Sequence, residues 1–109
     1  MGIKYAYSFA PKARTDLEDV LRYIEEELSN PKAAVDMAKT FFEKIDTLRA
    51  SPLSGRKIDN EYVLDQNLRK FFVGKYIVFY KPDEDNRTII IVRIIYGGRN
   101  VDDILKTMR

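Results

Sequence analysis

Four side chains in the C-terminal third could bind an anionic group or act on one: Arg69, Arg93, Tyr96 and Arg99. A guanidinium is permanently charged and binds carboxylate or phosphate through two parallel hydrogen bonds. Arg93 stands inside an apolar run, residues 89–95, where an unpaired charge would be strongly unfavourable. We therefore expect Arg93 either to pair with a carboxylate, such as Asp102 or Asp103 in the following tail, or to contact a binding partner.

A site that cleaves RNA would need more than these cations. Attack by a ribose 2′-OH requires a base, an acid for the leaving oxygen and cations for the charge on phosphorus. The chain has no histidine, which is the side chain best suited to proton transfer near neutral pH. Tyr96 is a weak substitute, because an ordinary phenol has a pKa of about 10. The sequence therefore supplies cations without a proton-transfer pair, and it leaves any catalytic residues unknown.

The composition is that of a single globular domain covering residues 1–109. Hydrophobic residues make up 45% and charged residues 33% of the chain, as in typical soluble proteins. Cysteine is absent, which suits a reducing compartment. Without His, Cys or a convergent carboxylate motif, no metal or cofactor is predicted. No apolar run approaches the roughly 20 residues of a membrane span, and no secretory signal is recognisable. We therefore expect a cytoplasmic protein with no membrane partner.

The net charge is weakly basic, +2. Residues 1–50 carry 8 basic and 9 acidic side chains, whereas residues 51–109 carry 11 and 8. A protein whose main function is to bind nucleic acid usually has a larger excess of basic residues. The charge is therefore compatible with either a protein or an RNA target.

Two helices are predicted in the N-terminal half, after a short alternating strand at residues 3–9. Apolar residues recur at helical spacing in the first helix: Leu17, Val20, Leu21, Ile24 and Leu28. The segment Ser29-Asn30-Pro31 ends that helix and starts the next, because Asn30 can cap and Pro31 suits a first helical turn. The second helix ends before Ser51 and is marked by Val35, Ala38, Phe41, Phe42, Ile45 and Leu48. Helices joined so tightly form an antiparallel hairpin.

Three antiparallel strands are predicted to follow, with a short apolar piece at residues 62–64 before them. Gly74-Lys75 fits a two-residue turn between strands 68–73 and 76–81, and a polar turn at 82–86 leads to the last strand, 88–96. Strict alternation in the last strand would place Ile90, Val92 and Ile94 on one face and Ile89, Ile91, Arg93 and Ile95 on the other. The predicted class is α+β, in the order β-α-α-β-β-β, with the helical hairpin on one sheet face.

Several segments together resemble the RelE/ParE superfamily of toxins from bacterial type II toxin–antitoxin systems, and the ParE branch most of all. The N-terminal half carries Ala13, Asp16-Leu17, Tyr23-Ile24, Asn30-Pro31, Ala33-Ala34, Leu48 and Pro52 with Gly55-Arg56. The C-terminal half carries Leu68-Arg69, the run from Tyr76 to Tyr80, and the run from Ile91 to Arg99. The order and spacing of these pieces, which span nearly the whole chain, make the resemblance specific.

The resemblance implies two alternative functions. ParE-type members block DNA gyrase by protein contact, whereas RelE-type members are ribosome-dependent endoribonucleases that cut messenger RNA without a metal. We favour gyrase, because the helical half is ParE-like and acid–base residues are lacking; an inactive relative is a third alternative. Target contacts, or the catalytic set of a nuclease, would be Arg69, Arg93, Tyr96 and Arg99. A cognate antitoxin, forming a hetero-oligomer with the toxin, would cover Leu17, Leu21, Ile24, Val35, Phe42 and Ile45.

Overall fold

The computed structural model describes residues 4–58, 67–98 and 101–107. In chain order the elements are β1 (Ala6–Phe9), α1 (Pro11–Arg22), a π-helical turn (Tyr23–Glu27), α2 (Pro31–Ala50), β2 (Arg56–Lys57), β3 (Arg69–Val73), β4 (Tyr76–Asp83), β5 (Thr88–Tyr96) and α3 (Val101–Lys106). The predicted α+β fold is confirmed, and β2, the π-helical turn and α3 are additions to it. The predicted apolar piece at 62–64 lies outside the described residues. None of the described helices is long and apolar enough to cross a membrane.

The strands form one five-stranded sheet in the order β1-β5-β4-β3-β2. β1 runs parallel to β5, and the other neighbouring strands are antiparallel. β1 pairs only with the first part of β5, from Ala6 opposite Thr88 to Phe9 opposite Ile91. Within the described residues, the remainder of β5 therefore has no strand on that side. This open edge is where the first helix comes to lie.

The second helix of the hairpin begins at the predicted cap, and the first helix begins with a proline. Pro11 occupies the first position of α1, and the Asn30 side chain accepts a hydrogen bond from the Ala33 N–H at 3.1 Å at the start of α2. The prediction that the first helix runs regularly to residue 28 is wrong beyond residue 22. There the chain widens into the π-helical turn, in which the Leu28 N–H donates to the Tyr23 carbonyl at 3.1 Å.

A β-bulge in the last strand corrects the predicted faces of that strand. Phe79 pairs with Arg93, but the next residue of β4, Tyr80, pairs with Ile91, so one residue of β5 is extra. The extra residue reverses the alternation. Ile94 consequently packs with Ile89 and Ile91 on the side of the helical hairpin, whereas Val92 and Ile95 belong to the opposite face. The prediction that grouped Ile94 with Val92, and Ile95 with Ile89 and Ile91, is therefore wrong.

The turn after β4 begins later than predicted, because the strand continues through Pro82 to Asp83. Proline is normally excluded from central strands, since it has no N–H to donate. Here β3 pairs with β4 only as far as Tyr80, so Pro82 needs no donor on that side. Its carbonyl accepts a hydrogen bond from the Asn67 side chain at 2.6 Å. The predicted Gly74-Lys75 turn is confirmed, with Gly74 at φ +57.

Both faces of the sheet are covered by apolar side chains. On one face, Phe41, Ile45 and Leu48 of α2 and Ala13 of α1 pack against residues of β3, β4 and β5: Val73, Val78, Tyr80, Ile89, Ile91 and Ile94. On the other, α3 contributes Leu105 to a smaller cluster with Leu68, Ile77, Phe79 and Ile95. Each large side chain buried in this way stabilises the fold by about 1.5–3 kcal/mol. The prediction that the last strand is covered on both sides is confirmed.

Candidate functional site

Arg93 is held in a two-pronged ion pair with Asp16 of α1. Its Nε donates to Asp16 Oδ2 at 2.7 Å and its Nη2 to Asp16 Oδ1 at 3.2 Å. The same carboxylate accepts the backbone N–H of Ile94 at 2.9 Å. Both charged side chains are only 12% exposed. Asp16 therefore neutralises the buried arginine and also satisfies a backbone donor at the open edge of β5.

The position of Asp16 follows from where β1 ends. The last pair of β1 with β5 is formed at Ile91, and α1 then begins at Pro11, so its first turns lie beside the unpaired part of β5. The prediction that Arg93 pairs with a carboxylate is confirmed, but the predicted partners Asp102 and Asp103 are wrong. Sequence spacing could not reveal a partner that lies 77 residues away.

Arg69 is engaged with the loop that connects α2 to β2. Its Nη1 donates to the carbonyls of Leu53 and Gly55 at 3.0 and 3.1 Å. Its Nε is buried and has no hydrogen-bond partner in the described part of the chain. Arg69 thus keeps its positive charge without a carboxylate partner among the described residues.

Tyr80 forms hydrogen bonds to the same loop from inside the core. Its hydroxyl accepts the Gly55 N–H at 2.9 Å and donates to the Pro52 carbonyl at 3.0 Å. Burial raises the pKa of the Tyr80 hydroxyl, while the Gly55 N–H and the charge of Arg69 act in the opposite direction. The hydroxyl is therefore a structural clamp, and its raised pKa makes it a poorer proton donor than an ordinary phenol.

Tyr96 lies at the far end of the sheet from Arg69. Tyr96 pairs with Tyr76, which pairs with Val73 of β3, and Arg69 stands four residues before Val73 on that strand. Four residues along a strand correspond to about 13 Å, and two strand spacings to about 10 Å. The Cα atoms of Arg69 and Tyr96 are therefore roughly 16 Å apart by this spacing. Arg99, the fourth candidate, lies outside the described residues.

An open groove runs past Tyr96, between the helical hairpin and the end of the sheet. Its volume is about 910 Å³, and its lining includes Val20, Tyr23, Leu28, Met37, Tyr76 and Tyr96. Tyr76 and Tyr96 meet edge to face at 5.8 Å between ring centroids. Burial raises the pKa of Tyr76, and the neighbouring phenols of Tyr23 and Tyr96 raise it further. Tyr76 is therefore better suited to contact with a partner's side chains than to proton transfer.

The predicted antitoxin contacts are spread over three environments. Val35 and Phe42 are exposed, whereas Leu17 and Leu21 are half-buried. Ile24 is buried and lines the groove, and Ile45 is only 1% exposed inside the core. Ile45 therefore has almost no surface to offer a partner in this conformation. The groove lining also includes Tyr23, Leu28 and Tyr76, which were not named individually because helical periodicity cannot show which apolar side chains remain uncovered.

A cluster of cations on β2 and β3 was also missed by sequence reasoning. Arg56 lies directly opposite Lys70, and Lys57 lies directly opposite Arg69. We call these four residues the cationic edge. The basic dipeptide Arg56-Lys57 is visible in the sequence, but no local signal predicts a strand there. Only the pairing of β2 with β3 brings it beside a second basic dipeptide. Among the described residues, no three Asp, Glu, His or Cys side chains are grouped as metal ligands.

Comparison with known proteins gives a consistent family. The model of the family described as "ParE toxin of type II toxin-antitoxin system, parDE" matches residues 7–101. No curated protein sequence matches the chain significantly.

Solved structures share the fold at low sequence identity. One is the chromosomal ParDE system of P. aeruginosa, with a TM-score of 0.66 and 16% identity over 87% of this chain and 98% of that one. Another is the RelBE2 toxin–antitoxin complex of Mycobacterium tuberculosis, with a TM-score of 0.60 and 21% identity over 86% and 99%. The archaeal RelE–RelB complex of Pyrococcus horikoshii OT3 has a TM-score of 0.60 and 22% identity over 88% and 98%. These likenesses show the shared fold.

Proposed function

The chain belongs to the ParE toxin family of type II toxin–antitoxin systems, and we propose that it inhibits DNA gyrase through protein contact alone. In this proposal the toxin acts in the cytoplasm, does no chemistry of its own, and is neutralised by a cognate antitoxin.

The observation that carries this proposal is the dispersal of the side chains a nuclease would need. Arg93 is paired with Asp16, and Arg69 is bonded to loop carbonyls. Tyr96 starts roughly 16 Å from Arg69 by strand spacing. A phosphate undergoing cleavage needs its acid, base and cations within hydrogen-bond reach at the same time. The described residues instead present surfaces suited to binding.

We propose the groove as the site where the antitoxin binds. Its lining is mainly apolar and carries two tyrosines with substantial exposure, Tyr23 at 48% and Tyr96 at 44%. Exposed aromatic side chains around an apolar groove are typical anchors for an amphipathic segment of a partner. The open edge of β5 lies along the same groove, but the Ile94 N–H on that edge already donates a hydrogen bond to the Asp16 carboxylate. An added strand would have to displace that carboxylate, so an amphipathic helix is the better occupant.

A ribosome-dependent ribonuclease is the second candidate, and one observation favours it. The cationic edge gathers four positive side chains on adjacent strands, and such cations could hold RNA phosphates. Within the described residues, no acid–base pair stands beside them, which is why we rank this function second.

The two candidates predict different outcomes for the purified toxin. A gyrase inhibitor should block DNA supercoiling and leave messenger RNA on the ribosome intact. In cells, its expression should stop replication and cause filamentation. A nuclease should instead halt protein synthesis within minutes and cut messenger RNA at the ribosomal A site. Such cleavage, if abolished by Arg69→Ala in a variant that still binds the antitoxin, would reverse our ranking.

A further inference from the structure

The cationic edge is unusual because like charges face each other directly across a strand pair. Arg56 is opposite Lys70 and Lys57 is opposite Arg69, an arrangement that destabilises an antiparallel pair. No carboxylate among the described residues forms an ion pair with any of the four. The interactions that are present do not remove the charge: Lys70 lies over the Phe72 ring at 5.6 Å, and Arg69 bonds to carbonyl groups.

A second observation at the same edge concerns Arg69 Nε, which is buried and lacks a hydrogen-bond partner. Buried donors are nearly always satisfied in folded proteins, so an orphaned guanidinium nitrogen in a charged cluster needs an explanation. Local arrangements that lower the stability of the fold, as this one does, are expected at functional sites. Within the described residues, the edge thus combines repulsion that no carboxylate offsets with an unsatisfied donor.

The four cationic side chains project to both faces of the sheet at β2 and β3. Directly opposed residues project to the same face, and successive residues project to opposite faces. Lys70 is paired with Phe79 of the α3-side cluster, and Arg69 with Tyr80 of the hairpin-side cluster. The pair Arg56–Lys70 therefore extends to one face and the pair Lys57–Arg69 to the other. Among the described residues, β2 is the outermost strand of the sheet, so the charges flank an edge that no described strand covers.

We propose that the cationic edge is the surface through which the toxin binds its target protein, and that it takes an extended, acidic segment of that protein. This inference rests on the proposed function. Carboxylates on successive residues of an extended segment would point to the two faces in turn, as the cations do. Backbone pairing along an exposed edge is a recurrent mode of peptide recognition.

A protein segment fits this edge better than nucleic acid does. The net charge of the chain is only +2, whereas a nucleic-acid-binding domain usually carries a clear basic excess. Single-stranded nucleic acid is normally held by free aromatic faces that stack on the bases. Phe72, an aromatic ring beside this edge among the described residues, already has Lys70 over its face.

The test compares two triple variants with the wild-type toxin in a gyrase supercoiling assay. The first is Arg56→Gln/Lys57→Gln/Lys70→Gln, which leaves Arg69 in place because its guanidinium holds the loop before β2. The matched control is Lys12→Gln/Arg14→Gln/Lys39→Gln, which removes the same charge from exposed positions on the helical hairpin. Each protein is also measured for thermal melting and for antitoxin affinity.

We expect the edge variant to need at least tenfold more protein for half-maximal inhibition, and the control variant to match wild type. The edge variant should also show weaker salt dependence, because fewer screened charges contribute to binding. Its melting temperature should be equal or higher, since the cross-strand repulsion is relieved. A residue cluster with a purely structural role would give a lower melting temperature instead.

Three results would overturn the inference, and they are distinguishable. Equal inhibition by wild type and the edge variant would remove the edge from the target surface while leaving gyrase as the target. A wild-type toxin that does not inhibit gyrase would overturn the proposed function together with this inference. Loss of RNA binding or RNA cleavage in the edge variant alone would identify the edge as a nucleic-acid site.

Discussion

Asp16 is the residue on which the largest effect of a single substitution is expected. Its carboxylate receives two hydrogen bonds from Arg93 and one from the Ile94 N–H. Asp16→Ala would leave a guanidinium that is 12% exposed without a counter-charge, together with an unpaired backbone donor. Removing one partner of a buried pair is destabilising by about 3–5 kcal/mol. Urea unfolding of the isolated toxin should show a loss of this size.

An exposed ion pair on the same helix supplies the control for this prediction. Arg22 and Asp19 pair across one helical turn with side chains 61% and 57% exposed, and such pairs contribute about 1 kcal/mol or less.

The double variant Asp16→Ala/Arg93→Ala should lose less stability than the sum of the two single changes. Additive losses would show that the two side chains do not act as a pair.

Tyr80 gives a second prediction, which includes a dependence on pH. Tyr80→Phe removes the acceptor of the Gly55 N–H and the donor to the Pro52 carbonyl, a change expected to lower the free energy of unfolding by about 1–3 kcal/mol. Burial raises the pKa of Tyr80 in the folded protein, so its stabilisation is present below pH 10 and is lost as the pH rises through the raised value. Wild type should therefore lose more stability than Tyr80→Phe as the pH rises above about 10. Equal losses would contradict the role of this hydroxyl.

The π-helical turn and its exit form the element that separates α1 from α2. The Asn30 N–H donates back to the Ile24 carbonyl at 3.2 Å, and Ser29 between them has φ +48. A left-handed conformation is unfavourable by roughly 1 kcal/mol for a residue with a β-carbon. Ser29→Gly should therefore raise the free energy of unfolding by up to about 1 kcal/mol.

The control for this change is Ser51→Gly at the end of α2, where φ is −138. Glycine relieves no strain at that position and adds flexibility to the unfolded chain, so stability should stay the same or fall. A loss of stability in Ser29→Gly would mean that the serine side chain matters more than its backbone conformation.

The elements that sequence could predict are those fixed by local signals. The Asn30 cap, Pro31 and the Gly74-Lys75 turn act over a few residues, and all three are where the sequence placed them. The bulge in β5 and the pairing of β2 depend on contacts between distant segments. Alternation read from one strand contains no information about an extra residue, so the faces of Ile94 and Ile95 were misassigned. The same limit hid Asp16 as the partner of Arg93.

The molecule carries its two proposed binding surfaces at separate corners of the sheet. The groove lies beside Tyr76 and Tyr96, at the start of β4 and the end of β5. The cationic edge lies on β2 and on the start of β3. A target contact and an antitoxin contact that share no residues can be weakened independently, because distant substitutions usually act additively. The arrangement therefore predicts a separation of the two activities.

The variant Tyr23→Ala/Leu28→Ala tests the groove half of that separation. Both side chains line the groove and are exposed, 48% and 55% respectively, so their truncation should leave the fold intact. Loss of an aromatic or aliphatic anchor typically weakens binding by more than about 1 kcal/mol. We expect antitoxin affinity to fall at least tenfold, measured by titration calorimetry, while gyrase inhibition by the free toxin stays unchanged.

The control for the groove is Val35→Ala/Phe42→Ala, which truncates exposed residues of α2 that do not line it. If antitoxin binding survives Tyr23→Ala/Leu28→Ala but is lost in this control, the outer face of the helical hairpin is the antitoxin site. If one variant abolishes both antitoxin binding and gyrase inhibition without a change in melting temperature, the two surfaces overlap. Neutralisation would then be direct competition for one site, because a bound antitoxin would cover the residues that reach the target.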